Sequence, residues 1–206
     1  MNKNVIIRLM MIMIMLLAAC NSAIPPATVE TINIISLEEY YPKLLVEAQK
    51  WRSDVYLDYA RINLYQQGSV VISSNFFSLT EEHLSIGIAL LRDGTLSIQH
   101  HTYETSIYPR KPIKDEDWKI DSQEALNLML DQDGINLIKS GDAVCSYLKL
   151  ERFLPLDEQP VAWLLHLSDC SGTNSRSFYL DPITGFELNL STKIKPTRFP
   201  IPTPIP

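Results

Sequence analysis

Residues 143–170 read AVCSYLKLERFLPLDEQPVAWLLHLSDC, the pattern of two strands folded back on one another. Leu148 and Leu150 alternate with Tyr147, Lys149 and Glu151, the period of a strand with one buried face. Trp163, Leu165 and Leu167 alternate with Leu164, His166 and Ser168, where Leu164 is the apolar exception. The polar stretch between Pro155 and Pro160 reads as the connection, so Ala143–Phe153 and Val161–Ser168 are expected to form a hairpin. A register centred on that connection pairs Leu148 with Leu167 and Leu150 with Leu165, and sets Cys145 opposite Cys170. A Cys145–Cys170 disulfide is expected from this register and would add roughly 3 kcal/mol. Two free structural thiols are the alternative. No Cys-x-x-Cys spacing is present, which argues against a redox-active pair.

Outward from the hairpin, Asp121 or Ser122 is placed to cap a helix carrying Ala125, Leu126, Met129 and Leu130, with Gly134 as its end. Downstream, Ser175–Leu180 and Phe186–Leu190 flank Asp181-Pro-Ile-Thr-Gly185, a turn written in proline and glycine. The first half has the same order. Ser36 caps a helix through about Arg52, with Glu38 and Glu39 in its first turn and Pro42 tolerated near its start. Val55, Leu57 and Tyr59 alternate as a strand, and Asp93-Gly94 joins Leu84–Arg92 to Thr95–His101 as a hairpin. The expected fold is α+β, with two similar units at 36–110 and 111–192. Each would be a helix packed on its own antiparallel sheet, related by a weak duplication.

The second unit resembles a PepSY domain, a small α+β module of secreted and envelope proteins. The matching residues are Ile120-Asp-Ser-Gln-Glu-Ala125, the strand Ala162-Trp-Leu-Leu165, and Tyr179-Leu-Asp-Pro-Ile-Thr-Gly185 before a closing strand. The likeness covers residues 120–190, and the first unit lacks the Thr-Gly ending. It implies binding, in the form of peptidase inhibition, and carries over no catalytic residue.

The N-terminus points to a location. Lys3 and Arg8 precede an unbroken apolar run from Leu9 to Ala19, 11 residues long, where a spanning helix needs about 20. The run ends at Leu17-Ala18-Ala19-Cys20, which resembles the lipobox of bacterial lipoproteins. That resemblance implies cleavage after residue 19 and a diacylglyceryl group, with its palmitate-type chains, on Cys20. An ordinary secretory signal or an uncleaved anchor is the alternative. Residues 1–19 are therefore expected to be a signal peptide, 20–35 a Pro-containing tether and 193–206 a Pro-rich tail. The expected localisation is extracytoplasmic, lipid-anchored at the cell membrane or outer membrane.

The 206 residues carry 18 Lys and Arg against 24 Asp and Glu, a formal charge of −6. Loss of Lys3 and Arg8 would make it more negative still. Nucleic acid is excluded as a main partner, because phosphate binding needs a clustered basic surface. The histidines His83, His100, His101 and His166 have no metal-ligand spacing, and adjacent strand residues such as His100 and His101 point to opposite faces. Asp115-Glu-Asp117 reads as a solvated acidic linker, and Ser168-Asp-Cys-Ser-Gly172 as a polar turn without a nucleophile elbow. Trp51 and Trp163 fall on apolar periodicities and read as core, while Trp118 follows a charge run and suits a surface anchor. Tyr56, Tyr59, Tyr103 and Tyr108 could line a groove for peptide or glycan. No catalytic, cofactor or metal residue is expected. The function read from the sequence is a non-catalytic binding module that contacts an envelope protein or a peptidase. The alternatives are an envelope hydrolase assembled only in three dimensions and a structural subunit of an envelope complex.

Overall fold

The computed structural model describes residues 32–65, 69–81, 83–102, 111–153 and 160–188. The signal peptide, Cys20 and the Pro-rich tail lie outside the described residues, as do Tyr103 and Tyr108.

Helix α1 spans Leu37–Trp51 and buries Leu37, Leu44 and Ala48. The first amides of a helix have no partner inside it. Here Ser36 Oγ accepts from the Glu39 amide at 3.0 Å, as the sequence predicts. The other two come from far along the chain: Ser122 Oγ accepts from the Leu37 amide at 2.9 Å, and Asp121 Oδ1 accepts from the Glu38 amide at 2.9 Å. Ser122 also donates to the Ile35 carbonyl, and the Gln123 amide grips both Ile34 N and Ile32 O at 2.8 Å. Asp121 is the N-cap position of α2, Ser122–Met129, yet makes no side-chain cap there; its carboxylate serves α1 instead. Residues 32–35, at the end of the expected tether, thus lie bound to the start of α2, with Ile32, Ile34 and Ile35 packed on the core.

Seven strands follow: β1 Val55–Asn63, β2 Val70–Ser78, β3 Leu84–Leu91, β4 Leu96–Thr102, β5 Tyr147–Arg152, β6 Val161–Ser168 and β7 Ser175–Leu180. They form one antiparallel sheet in the order β4-β3-β2-β1-β5-β6-β7. This corrects the expectation of two units each with its own sheet. The first strand of each half pairs with the other, Tyr59 opposite Glu151 through Asn63 opposite Tyr147, so the two halves share one sheet and one core. Pairing removes two open edges at once, which isolated three- and four-stranded units would leave exposed. The core face carries Ile72, Phe76, Ile86, Ile88 and Leu90 from the first half and Leu148, Leu150, Trp163, Leu165 and Leu167 from the second.

Three local expectations are also corrected. The β5–β6 hairpin pairs Leu148 with Leu165 and Leu150 with Trp163, two residues from the expected register. A shift of two keeps every side chain on its face, so the sorting of apolar and polar residues survives. Cys145 nevertheless reaches Cys170, with Cα atoms 5.0 Å apart, and the disulfide is present. Cys170 gets there by a positive φ of 63°, which turns the chain back after Ser168. Second, Gly134 does not end a helix. The chain breaks after Met129 and restarts as α3, Gln132–Ser140, capped by Asp131 Oδ1 on the Gly134 amide at 2.7 Å. A Cβ at Gly134 would sit 2.8 Å from Leu130 Cδ1 and 3.0 Å from Leu167 Cδ1, so the glycine permits close packing of α3 on β6. Third, Trp118 is buried rather than an exposed anchor. It meets Tyr41 and Trp163 edge-on, at ring distances of 5.9 and 6.4 Å, and the buried Trp163 indole donates to the Ile120 carbonyl at 2.8 Å.

Candidate functional site

The sheet face opposite the core carries most of the polar chemistry. On β1 and β5 it presents two cations directly across from one another, Arg61 and Lys149. Like charges in that position repel. The side chains respond by crossing: the Arg61 guanidinium lies 4.0 Å over the Tyr147 ring, and the Lys149 ammonium lies 4.5 Å over the Tyr59 ring. Each cation therefore sits on the π face of a tyrosine from the opposite strand. Lys149 also pairs with Glu151 at 2.6 Å. Arg61 Nε donates to Asn63 Oδ1 at 3.1 Å, and Asn63 donates on to the Val70 carbonyl, which fixes the fork in place.

The array continues outward. His166 on β6 packs against Tyr147 at 5.0 Å, and its Nδ1 is 3.0 Å from Ser177 Oγ on β7. Burial first, and the Arg61 cation second, hold the His166 imidazole below its ordinary pKa, so it is neutral near pH 7 and suited to accept the Ser177 proton in a hydrogen bond. Burial, then the Glu151 carboxylate and Tyr147, push the Tyr179 phenol up. Toward the other side, Arg61 faces Ser73 on β2, Ser73 faces Ala89 on β3, and Ala89 faces Ser97 on β4. The next row runs Tyr59, Asn75, Gly87, Gln99. Small side chains along both rows leave a shallow groove of about 780 Å³ bordered by Tyr59, Arg61, Asn63, Gln99 and His101. The His101 imidazole lies over Gly87, where a Cβ would meet its Nε2 at 3.2 Å. Asp58 touches the Asn75 end of the groove at 3.5 Å.

Other candidates are dispersed. His101 faces this groove and His100 the opposite side, against Trp51 at 5.8 Å, the divergence expected of neighbouring strand residues. His83 is exposed on the turn before β3. Asp115–Asp117 forms a 3₁₀ turn rather than a wholly solvated linker: Asp117 binds Arg152 of β5 at 2.6 Å, and Glu116 lies 3.4 Å from Lys114. Burial of the Tyr41 phenol, assisted by Asp115, raises its pKa to about 12. Asp169 accepts from Ser171 inside the disulfide turn, which lowers its pKa, and a second hollow of about 800 Å³ lies beside it between Leu137, Leu167 and Arg176. Among the described residues no three His, Cys, Asp or Glu side chains gather as metal ligands, and no helix is long and apolar enough to cross a membrane.

Sequence reasoning placed Tyr147, Lys149, Glu151 and His166 on one face but overlooked Arg61, Asn63 and Asn75. The alternation Tyr59-x-Arg61-x-Asn63 was the available signal.

No protein-family model matches the chain, including any for the PepSY resemblance, and no curated protein matches it. Among solved structures, a candidate lipoprotein from Clostridium difficile 630 aligns over 72% of this chain and 89% of its own, at 9% identity and a TM-score of 0.48. At that level of similarity the functional reading rests on this chain's own residues.

Proposed function

We propose that this protein is a lipid-anchored lipoprotein of the bacterial envelope and acts there as a non-catalytic binding module. Its ligand surface is the sheet face opposite the helices. The anchor reading rests on the apolar run ending at Leu17-Ala18-Ala19-Cys20. The binding reading is carried by one observation: the pair of cations stacked across β1 and β5, opening onto a groove floored by small side chains. Half-buried cations and tyrosines on a rigid sheet present donors and flat apolar surface with little entropy left to lose on binding.

The finer reading, regulation of a peptidase, is favoured by β4. This strand ends the sheet and reads Leu96-Ser-Ile-Gln-His-His-Thr102, without a Lys, Arg, Asp, Glu or Pro. Edge strands usually carry such residues to prevent pairing, so β4 suits strand addition by an extended segment.

Both parts are tested in the native envelope. Labelling with an alkyne fatty acid should mark the wild-type chain and fail in Cys20→Ser. A photocrosslinker at Gln99 should capture a peptidase whose turnover the purified full-length chain slows stoichiometrically, while one at exposed Val46 on α1 should not. Equal capture at the two positions would remove the sheet face from the reading.

A further inference from the structure

We infer that Arg61 is the anchor of a carboxylate-binding subsite, and that the groove beside it takes a small hydroxyl-rich acid such as a sugar acid. The inference rests on the binding role proposed for this face.

Arg61 and Lys149 oppose each other on adjacent strands, yet only Lys149 has an acidic partner, Glu151 at 2.6 Å. Among the described residues the Arg61 guanidinium meets Asn63 through Nε and the Tyr147 ring through its face, and no carboxylate. Asp58 approaches the groove but is directed at Asn75. In a chain of net charge −6, an arginine lacking a carboxylate while facing another cation is an uncompensated positive site.

Geometry selects the ligand. With Nε held by Asn63 and one face on Tyr147, the guanidinium is fixed, and among the described residues its two Nη groups are left to donate. That edge matches a planar carboxylate through two parallel hydrogen bonds. Beyond Arg61 the row Ser73, Ala89, Ser97 and the neighbouring Asn75 and Gln99 provide hydroxyl and amide groups over a floor of small residues. At the ordinary strand spacing this trough runs about 14 Å from β1 to β4. Hydroxyls along the ligand body would complement those groups, and a long apolar chain would leave them unpaired.

The test is calorimetric titration of the full-length chain in detergent micelles with glucuronate, with glucose and inorganic phosphate as comparisons. Glucuronate should bind saturably, glucose at least tenfold more weakly, and phosphate several-fold more weakly because it lacks the planar match. Arg61→Gln should weaken glucuronate about 10- to 100-fold, the range for a charge-assisted pair. Arg61→Lys, which keeps the charge and loses the fork, should fall between. Ala89→Trp should fill the trough and abolish binding, while Lys50→Gln on α1 should change nothing. Glucose or phosphate binding as tightly as glucuronate would overturn the carboxylate assignment. If Ala89→Trp abolishes binding but Arg61→Gln does not, the face binds ligands without this anchor, and only the present inference falls. If glucuronate does not bind the wild-type chain, the Arg61 subsite is refuted, whereas face-selective crosslinking separately decides the binding role.

Discussion

Along β6, Trp163, Leu165 and Leu167 point into the core, while Ala162, Leu164 and His166 point to the opposite face, where β1 and β5 hold their stacked cations. The core face is predominantly apolar across its central strands, gives way to His100 and Arg176 on the two edge strands, and is covered by side chains from three helices. The opposite face is stabilised piecewise, by cation–tyrosine contacts, the Lys149–Glu151 pair and the His166–Ser177 hydrogen bond. Burial of a large apolar side chain contributes about 1.5–3 kcal/mol, whereas a half-exposed polar pair contributes a few tenths to about one. One face sets stability and leaves the other free to vary its chemistry.

That contrast can be broken by substitution. The largest effect is expected for Trp163→Ala, which opens a cavity beside Trp118 and strands the Ile120 carbonyl; urea unfolding should report a loss of about 3–5 kcal/mol. Next, Cys145→Ala with Cys170→Ala should cost about 3 kcal/mol by the loop-entropy relation, measured as the gap between oxidised wild-type and variant midpoints. Ser122→Ala leaves the Leu37 amide and the Ile35 carbonyl without their partner at a fully buried position. It should cost about 1–3 kcal/mol in the same assay. At the small end, Arg61→Gln should shift stability by no more than about 1 kcal/mol. A loss as large as that of Trp163→Ala would show that the polar face is structural and erase the distinction.

Arg61→Gln should also change the titration of His166. Its folded pKa lies below the ordinary value, so the unfolded chain binds the proton more readily. His166 therefore costs nothing above the unfolded value of about 6.5 and destabilises the fold as pH falls below it. Removing the Arg61 cation removes the smaller of the two causes. NMR titration should show the His166 pKa rising in Arg61→Gln yet staying below that of an exposed histidine, because burial persists.

Much of the local structure was legible, for identifiable reasons. Val161–Ser168 and Ser175–Leu180 are strands with the expected bounds, and Asp93-Gly94 makes its turn with Gly94 at φ 83°. Strand β2 was not read, because VVISSNFFS does not alternate. Ser74, Asn75, Phe76 and Phe77 are all buried, on both faces of a central strand. The Phe186–Leu190 strand reduces to one bridge, Leu180 with Glu187, among the residues described there. Alternation specifies a face but not a register, so the β5–β6 hairpin could slip by two residues without moral for its face sorting. The union of β1 with β5 leaves no local trace, since either strand's pattern serves equally in a sheet of its own. For the same reason the groove was invisible: its rows take one residue from each of four strands, β1 to β4.

The exchange of capping groups between 32–38 and 121–123 also dictates an order of events. Its contacts span 83 to 91 positions of chain, and Tyr59 meets Glu151 across a similar distance. A chain emerging from its N-terminus presents α1 long before Asp121 and Ser122 exist to complete it. Folding that depends on such distant closures is slow and is delayed until most of the chain is available. Helix α1 is thereby left without two of the groups that cap it until residues 121 and 122 have been made.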